Sequence, residues 1–166
     1  MNNKWLFYRA LLFMSLGVLL IFVVLLIVRW IYSRPVEPIT ALNQTYEGTI
    51  VDIKATDMKV VNDPLEDAGV IIGVRFVITN KTKKDFYLGP SSFSAYVDDI
   101  VADGRTTTDF NEAGEELGGN IAPGKSAVGY YAVEASKDAQ KVEIRIEEVF
   151  EKKYATFIFD IPGAEG

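Results

Sequence analysis

The chain divides into two parts that differ in the periodicity of their apolar residues. Ala10 to Val28 are nineteen consecutive residues without a formal charge, dominated by Leu, Val, Ile and Phe. As a helix, this run would span about 28 Å, close to the hydrocarbon thickness of a bilayer. Because lipid cannot satisfy backbone polar groups, a single span must be an α-helix. The pattern therefore predicts a transmembrane helix over residues 10–32.

The residues beside this run favour a permanent anchor. Aromatic side chains flank it at both ends, as in the aromatic belts of membrane interfaces: Trp5, Tyr8, Trp30 and Tyr32. The alternative is a cleaved secretory signal, with an apolar stretch of about 7 to 15 residues and a small-x-small site directly after it. No such site follows promptly, and Ala41 lies far downstream. The chain has no Cys that could carry a lipid anchor instead.

From Tyr46 to Pro162 the apolar residues alternate with polar ones, which is the period of half-buried strands. The clearest alternations are residues 74–79, 142–147 and 155–161. Further candidate strands are Gly48 to Lys54, Lys59 to Val61, Phe93 to Val97 and Ala127 to Glu134. About seven short strands at this spacing predict an all-β sandwich. Only Asn111 to Leu117 has a pattern that could hold a helical turn.

These patterns predict the organisation of the chain. The segments are a cytoplasmic N-terminus (1–9), a transmembrane helix (10–32), a linker with Pro35 and Pro38 (33–45), a β-sandwich domain (46–162) and a flexible tail (163–166). The predicted sandwich of 117 residues has the size of one domain with a single core.

Charge bears on orientation and on partners. Two basic side chains lie on each side of the apolar run, so the positive-inside rule barely decides the orientation. All 23 acidic residues lie from Glu37 onward and, with 13 basic residues there, give that part a net charge of −10. An acidic domain fits poorly against the anionic cytoplasmic leaflet and against nucleic acid. We expect a single-pass cell-membrane protein with a cytoplasmic N-terminus, an extracytoplasmic domain and no nucleic-acid partner.

A phosphate-binding pattern, G-x-x-x-x-G-K-[ST], spans Gly119 to Ser126. Such a loop needs a strand before it and a helix after it, so that backbone N–H groups converge on phosphate. The residues after Ser126 have the pattern of a strand, and Pro123 removes one of the amides. We expect a Pro-Gly turn entering a strand, without a nucleotide.

Metal binding and catalysis have few candidate residues. The acids near the predicted hairpin are Asp98, Asp99, Asp103, Asp109, Glu112, Glu115 and Glu116. Their spacing does not fit an EF-hand; solvated carboxylates are the favoured interpretation, and Ca²⁺ binding between Asp98 and Glu116 stays open.

Without His or Cys there is no imidazole base and no thiolate. We predict no enzyme activity, no cofactor, and no catalytic, cofactor-binding or metal residue.

The order of several motifs resembles a known family. The stretches VRFVITNKTKKDFYLGPSSFSAYVDD and LGGNIAPGKSAVGYYAVEASKDAQKVEIRIEE, followed by a Phe-rich strand, resemble the telokin-like, immunoglobulin-like domain family of unknown function in bacterial surface proteins and lipoproteins. The chain departs from this family in having an apolar helix where many relatives have a lipidated Cys, and Ser136 where Pro is frequent. The resemblance implies an extracytoplasmic immunoglobulin-like β-sandwich and no catalytic residue.

Two function hypotheses follow. The first is a membrane-tethered binding or interaction module whose strand faces or loops contact a protein or another envelope component. The second is a structural or accessory subunit of an envelope complex, in which the helix also makes contacts. Exposed aromatic residues would favour the first hypothesis, because Tyr is enriched at interfaces. The aromatic residues in question, each of which could instead lie in the core, are Phe86, Tyr87, Tyr96, Tyr130 and Tyr131.

Overall fold

The computed structural model describes residues 3–32, 37–63, 69–107, 110, 117–148 and 153–162. Within the N-terminal helix it describes the side chains of residues 13, 14 and 16–28. The chain divides into two compact units, Met1–Pro35 and Val36–Gly166.

The first unit contains one helix, α1 (Asn3–Tyr32). Its described large apolar side chains, from Phe13 to Val28, are 42 to 72% exposed. Within the described part of the chain, no helix is both long enough and apolar enough to cross a membrane. The transmembrane helix at residues 10–32 therefore stays a prediction.

The second unit is the predicted all-β sandwich. Its strands are β1 (Thr45–Glu47), β2 (Val51–Asn62), β3 (Gly69–Asn80), β4 (Phe86–Leu88), β5 (Phe93–Val97), β6 (Ile100–Ala102), β7 (Gly104–Thr107), β8 (Gly119–Ile121), β9 (Ser126–Ser136), β10 (Lys141–Glu148) and β11 (Lys153–Asp160), with a 3-10 turn at Pro90–Ser92. The larger sheet has the order β1-β2-β3-β9-β7 and the smaller sheet β11-β10-β5-β6, while β4 pairs with β8. All named strand pairs are antiparallel.

The core lies between the two larger sheets and is built from the alternating apolar positions. Val74, Phe76 and Ile78 of β3 are fully buried. Across the core, the rings of Phe76 and Phe157 meet edge to face with centroids 5.2 Å apart. A second contact joins the sheets where Phe93 stacks on Tyr131 at 4.6 Å. The period-two prediction is confirmed at these positions, since one face of each strand supplies the core.

A β-bulge explains why β2 looks like two strands in the sequence. The register shifts between Ala55 and Asp57, so that Thr56 is the extra residue. Before the bulge Ile53 and Ala55 point into the core, and after it Met58 packs against the core instead. The extra residue shifts the core-facing positions of the strand from odd to even residue numbers. The two predicted segments are therefore one continuous strand.

The sandwich includes chain that the sequence assigns to the linker. Ile39 is 5% exposed and forms a parallel bridge with Phe157 on the outer edge of β11. Its N–H donates to the carbonyl of Thr156 at 2.8 Å, and its carbonyl accepts from Ile158 N–H at 2.9 Å. A lone apolar residue among prolines has no periodicity, so its burial could not be predicted from the pattern.

The predicted helical turn at Asn111 to Leu117 lies outside the described residues except for Leu117. That residue is 1% exposed and fills space beside Gly129, where an added Cβ would lie 2.6 Å from the Leu117 nitrogen. Gly129 therefore leaves room in the core for Leu117. The five strands of three or four residues were not predicted individually, because such short strands show no clear alternation.

Candidate functional site

The outward side chains of the smaller sheet include several partly exposed apolar and aromatic residues. We call this surface the small-sheet face. One row runs across all four strands and contains Val101, Tyr96, Glu143 and Ile158, which are paired in register. Val101 is 76% exposed. Tyr154, farther along β11, is 43% exposed.

Arg145 organises the centre of the small-sheet face. Its guanidinium lies 4.3 Å from the centroid of the Tyr96 ring, and Nη1 donates to Tyr96 Oη at 3.3 Å. Its Nε donates to Glu143 Oε1 at 2.5 Å. Charge-assisted bonds and cation–π contacts restrict the rotamers of both partners. The cluster therefore presents a preorganised aromatic and cationic surface.

Glu143 is an outward residue of the sheet, yet it is only 8% exposed. Its neighbours on the face, Tyr96 and Arg145, cover it. A carboxylate withdrawn from water is costly unless it is paired, and the short bond from Arg145 supplies the pairing. Removing Arg145 would therefore leave a poorly solvated negative charge at the centre of the face.

A shallow depression lies beside this cluster. It has a volume of about 280 Å³ and is lined by Pro38, Glu143, Arg145, Tyr154, Thr156 and Ile158. Pro38 reaches it because the neighbouring Ile39 is bonded to the edge of β11. Apolar side chains and one ion pair thus line the depression, and the Tyr and Arg among its residues are types enriched at protein interfaces.

The outward face of the larger sheet is organised differently, because another part of the same chain covers its centre. We call it the large-sheet face. The Phe110 ring lies over Gly73, where an added Cβ would be 2.9 Å from the ring. The Phe110 and Tyr130 rings are 5.5 Å apart, and Lys59 Nζ donates to the Phe110 carbonyl at 3.1 Å. Tyr130 is consequently only 3% exposed.

A hydrogen bond satisfies the buried hydroxyl of Tyr130. Its Oη donates to Asp57 Oδ2 at 2.6 Å. Burial, followed by this bond and the charge of Asp57, raises the pKa of Tyr130 to about 12, and nearby Arg75 partly opposes the shift. The ring and its hydroxyl are therefore used in the structure of the domain, which removes them from contact with a partner.

The aromatic residues singled out from the sequence take different positions. Phe86 and Tyr131 are core residues, at 4% and 3% exposed. Burial raises the pKa of Tyr131, as does the charge of Asp103 to a smaller extent. Tyr87, in β4, is 63% exposed, and Tyr96 is partly buried on the small-sheet face. The aromatic set thus contains both core and surface residues.

The predicted turn at Pro123-Gly124 is confirmed. Gly119 to Ile121 form β8, and β9 begins at Ser126, so a strand follows the Gly-Lys-Ser sequence. Gly124 adopts a φ of 68°, in the left-handed region that favours glycine. The helix N-terminus of a phosphate-binding loop is replaced by this strand.

Asn80 holds this turn in place at the end of β3. It is fully buried, and its Nδ2 donates to the carbonyls of Lys84 at 2.7 Å and Ile121 at 2.8 Å. Its main-chain carbonyl accepts from Gly124 N–H at 2.9 Å. Asn80 therefore ties the polar turn after β3 to the Pro-Gly turn before β9. Both turns are part of the stretches that resemble the known family.

The acidic residues are divided between the described hairpin and undescribed chain. Asp98 and Asp99 form the turn between β5 and β6 with φ of 48° and 68°. The Asp98 carboxylate accepts from Lys141 N–H at 2.9 Å, and Asp99 pairs with Lys141 Nζ at 2.8 Å, which raises the pKa of that lysine. Among the described residues, no group of three or more acids could hold a metal. Outside them lie Asp109, Glu112, Glu115 and Glu116.

Sequence reasoning missed the Arg145 cluster. Glu143 and Arg145 are recognisable only as the polar positions of an alternating strand, and the default interpretation of such positions is solvent exposure. Their contact with Tyr96 depends on the register between β5 and β10, in which Tyr96 pairs with Glu143. No sequence signal links Tyr96 to Arg145, because the two residues lie 49 positions apart.

Comparison with protein families gives one match to this sandwich. The model described as Domain of unknown function (DUF4352) matches residues 40–156. The comparison with curated proteins gave no match.

Solved structures with a similar fold come from bacteria. The yjhA protein of Bacillus subtilis is 13% identical with a TM-score of 0.62, over 74% of this chain and 100% of that one. The predicted lipoprotein ycdA of Bacillus subtilis is 19% identical with a TM-score of 0.56, over 75% of this chain and 40% of that one. An uncharacterised β-sandwich protein of Clostridium difficile 630 is 10% identical with a TM-score of 0.50, over 78% and 97%. The chain thus spans less than half the length of ycdA, and these likenesses concern the fold alone.

Proposed function

The chain belongs to the DUF4352 family of domains of unknown function, and we propose that it is a binding module held at the outer side of a cell membrane. Its own residues perform no catalysis; they present the small-sheet face to a protein partner of the envelope. The helix α1 serves as the anchor and places the N-terminus in the cytoplasm. The sandwich is the telokin-like, immunoglobulin-like type that the sequence motifs resemble.

The anchoring part of the proposal rests on the sequence and on the exposure of the helix. The uncharged run from Ala10 to Val28 lies within α1, and its described large apolar side chains are 42 to 72% exposed. Side chains of this type exposed over more than four helical turns need an apolar environment. The net charge of −10 after Arg34 favours the side away from the anionic leaflet. The similarity in fold to a predicted lipoprotein also supports an extracytoplasmic location of the sandwich.

The observation that carries the binding proposal is the Arg145 cluster on an open sheet face. Tyr and Arg are enriched among residues that dominate binding energy, above all where they are held rigidly before the partner arrives. Arg145 is clamped by Glu143 and Tyr96, and Tyr154 and Val101 are exposed beside it. The partner gains contact area without having to order these central side chains.

Site-specific photocrosslinking in cells that naturally express the protein tests this proposal. A photoreactive phenylalanine analogue at Tyr154 is compared with the same analogue at Val61, which is 44% exposed on the larger sheet. We expect a discrete protein adduct at Tyr154 that Arg145→Ala removes, and none at Val61. Equal labelling at both positions, or labelling that survives Arg145→Ala, would contradict a specific role of the small-sheet face.

Two further experiments test the location and the accessory-subunit alternative. Protease added to intact cells is expected to digest the sandwich, and full protection of the sandwich would show that the proposed orientation is wrong.

Replacing residues 10–32 with an unrelated transmembrane helix is expected to leave the Tyr154 adduct unchanged. Loss of the adduct after this replacement would favour a subunit whose own helix makes the specific contacts.

A further inference from the structure

The short strand β6 is a second exposed feature, and it forms one border of the smaller sheet. Its first two residues are large, apolar and open to solvent: Ile100 is 73% exposed and Val101 is 76% exposed. Exposed apolar residues on an edge strand favour pairing with a further strand, which native proteins usually prevent with charges or proline. β6 has neither within its three residues.

The hairpin geometry determines which backbone groups of β6 face outward. Asp98 and Asp99 are a two-residue loop, so Val97 and Ile100 are the closing pair that exchanges both hydrogen bonds. The next pair, Tyr96 and Val101, then does not exchange them. The N–H and C=O of Val101 therefore point away from β5, toward the free edge of the sheet.

An open groove runs beside this edge, between β6 and the end of β9. It has a volume of about 350 Å³. Its apolar lining comes from the side chains of Val97, Ile100, Ala102, Ala135 and Ala139. The groove has room for one aliphatic side chain of a segment lying along β6, because alternate residues of a strand point to the same side.

Negative charge surrounds the groove and the strand. Asp98 and Asp99 precede β6, Asp103 follows it, and Glu134 and Asp138 line the groove or its rim. Lys141 pairs with Asp99 and Arg105 with Glu134, so carboxylates remain in excess. Such a rim favours Lys or Arg on both sides of the entering apolar residue.

The same charges oppose pairing between two copies of this chain. Antiparallel pairing centred on Val101 would place Asp99 of each copy opposite Asp103 of the other. Like charges directly opposite one another on paired strands are destabilising. A partner segment with basic ends has the opposite effect.

We propose that β6 binds an extended segment of a partner protein by strand addition. The segment pairs with the N–H and C=O of Val101, inserts an aliphatic side chain into the groove, and places Lys or Arg near the surrounding carboxylates. This inference rests on the proposed binding function and adds the chemistry of the partner. With a single pair of outward backbone groups, the interaction is weak and salt-dependent.

Peptide binding to the full chain in detergent tests the proposal. The probe is a fluorescent Lys-Lys-Val-Ile-Val-Lys-Lys peptide, measured by anisotropy, with Lys-Lys-Ser-Gly-Ser-Lys-Lys as the control of equal charge. We expect Val101→Pro to weaken binding of the first peptide about tenfold, because proline removes the outward donor. The matched Val101→Thr keeps that donor and is expected to bind within about threefold of the wild type.

The fold should tolerate Val101→Pro, since the lost N–H does not bond to β5. Ile100→Lys is the second variant: it leaves the backbone unchanged and puts a positive charge at the groove, so about tenfold weaker binding is again expected. Unchanged binding by both variants, equal binding of the two peptides, or a wild-type dimer that Val101→Pro dissociates would each overturn the proposal. Any of these results would leave the Tyr154 crosslinking result of the proposed function unaffected.

Discussion

The two outward sheet faces use the same residue type in opposite ways. On the large-sheet face, Tyr130 is 3% exposed and its hydroxyl bonds to Asp57. On the small-sheet face, Tyr154 is 43% exposed and borders an open depression. Phe110 of the same chain covers part of the first face, whereas Tyr154 on the second face is open to solvent. The two faces of one β-sandwich can thus differ in how much of their aromatic surface the chain itself covers.

The cause of the difference is local. Gly73 has no side chain, so the sheet surface has space that the Phe110 ring occupies. On the small-sheet face the corresponding central space is taken by Arg145, folded over Tyr96. An aromatic ring brought in by a loop excludes water from the sheet, while a guanidinium keeps one side hydrated.

The largest effect is expected from Tyr130→Ala. The variant removes a buried ring, its bond to Asp57 and its contact with Phe110, and should lower the free energy of unfolding by about 3 to 4 kcal/mol. The matched Tyr154→Ala should lower it by less than about 1 kcal/mol, because that ring is partly exposed. Denaturant unfolding followed by circular dichroism measures both. Similar losses in the two variants would show that the faces do not differ in this way.

A smaller effect is expected from Gly73→Ala. The new Cβ would displace the Phe110 ring, and we expect a loss of about 1 to 2 kcal/mol in the free energy of unfolding. Once Phe110→Ala has removed the ring, the same glycine change should cost much less. A double-mutant cycle measures this coupling. Additive costs would contradict the packing of Phe110 on Gly73.

Tyr130→Phe separates the hydroxyl from the ring. Losing the bond to Asp57 should cost about 1 kcal/mol at neutral pH. The folded state raises the pKa of Tyr130 to about 12, above its ordinary value of 10.0, so this contribution is complete below pH 10 and is lost as pH rises toward 12. Stability measured across this interval should therefore fall less steeply in Tyr130→Phe than in the wild type.

The smallest effect is expected from Lys59→Gln. This change weakens the bond to the Phe110 carbonyl and the contact with the Tyr130 ring, both at the protein surface, and should cost about 0.5 kcal/mol. Lys83→Gln, at another exposed lysine, is the control and should cost close to nothing. Equal effects would show that Lys59 does not hold the covering loop.

The strands with strong alternation were predictable because burial of one face is a local property of the sequence. Val142, Ile144 and Ile146 show this most simply, since all three are buried. In the sequence, the alternation of β2 breaks into two segments. A β-bulge and a turn produce the same break, so the sequence alone did not show that β2 is one continuous strand. Ile39 could not be predicted to be buried, because its partner Phe157 lies far away along the chain.

By itself the sequence determined the all-β sandwich, the Pro-Gly turn before β9 and the absence of His and Cys, because alternation, turn residues and composition are properties of neighbouring positions. Only the tertiary structure decided which aromatic residues are covered. Tyr96 and Tyr130 both lie in strands with alternating apolar residues, and their exposure depends on strand register and on the Phe110 ring that lies over Gly73. The small-sheet face exists because β5, β10 and β11 pair in one register, and a single strand contains no information about that pairing.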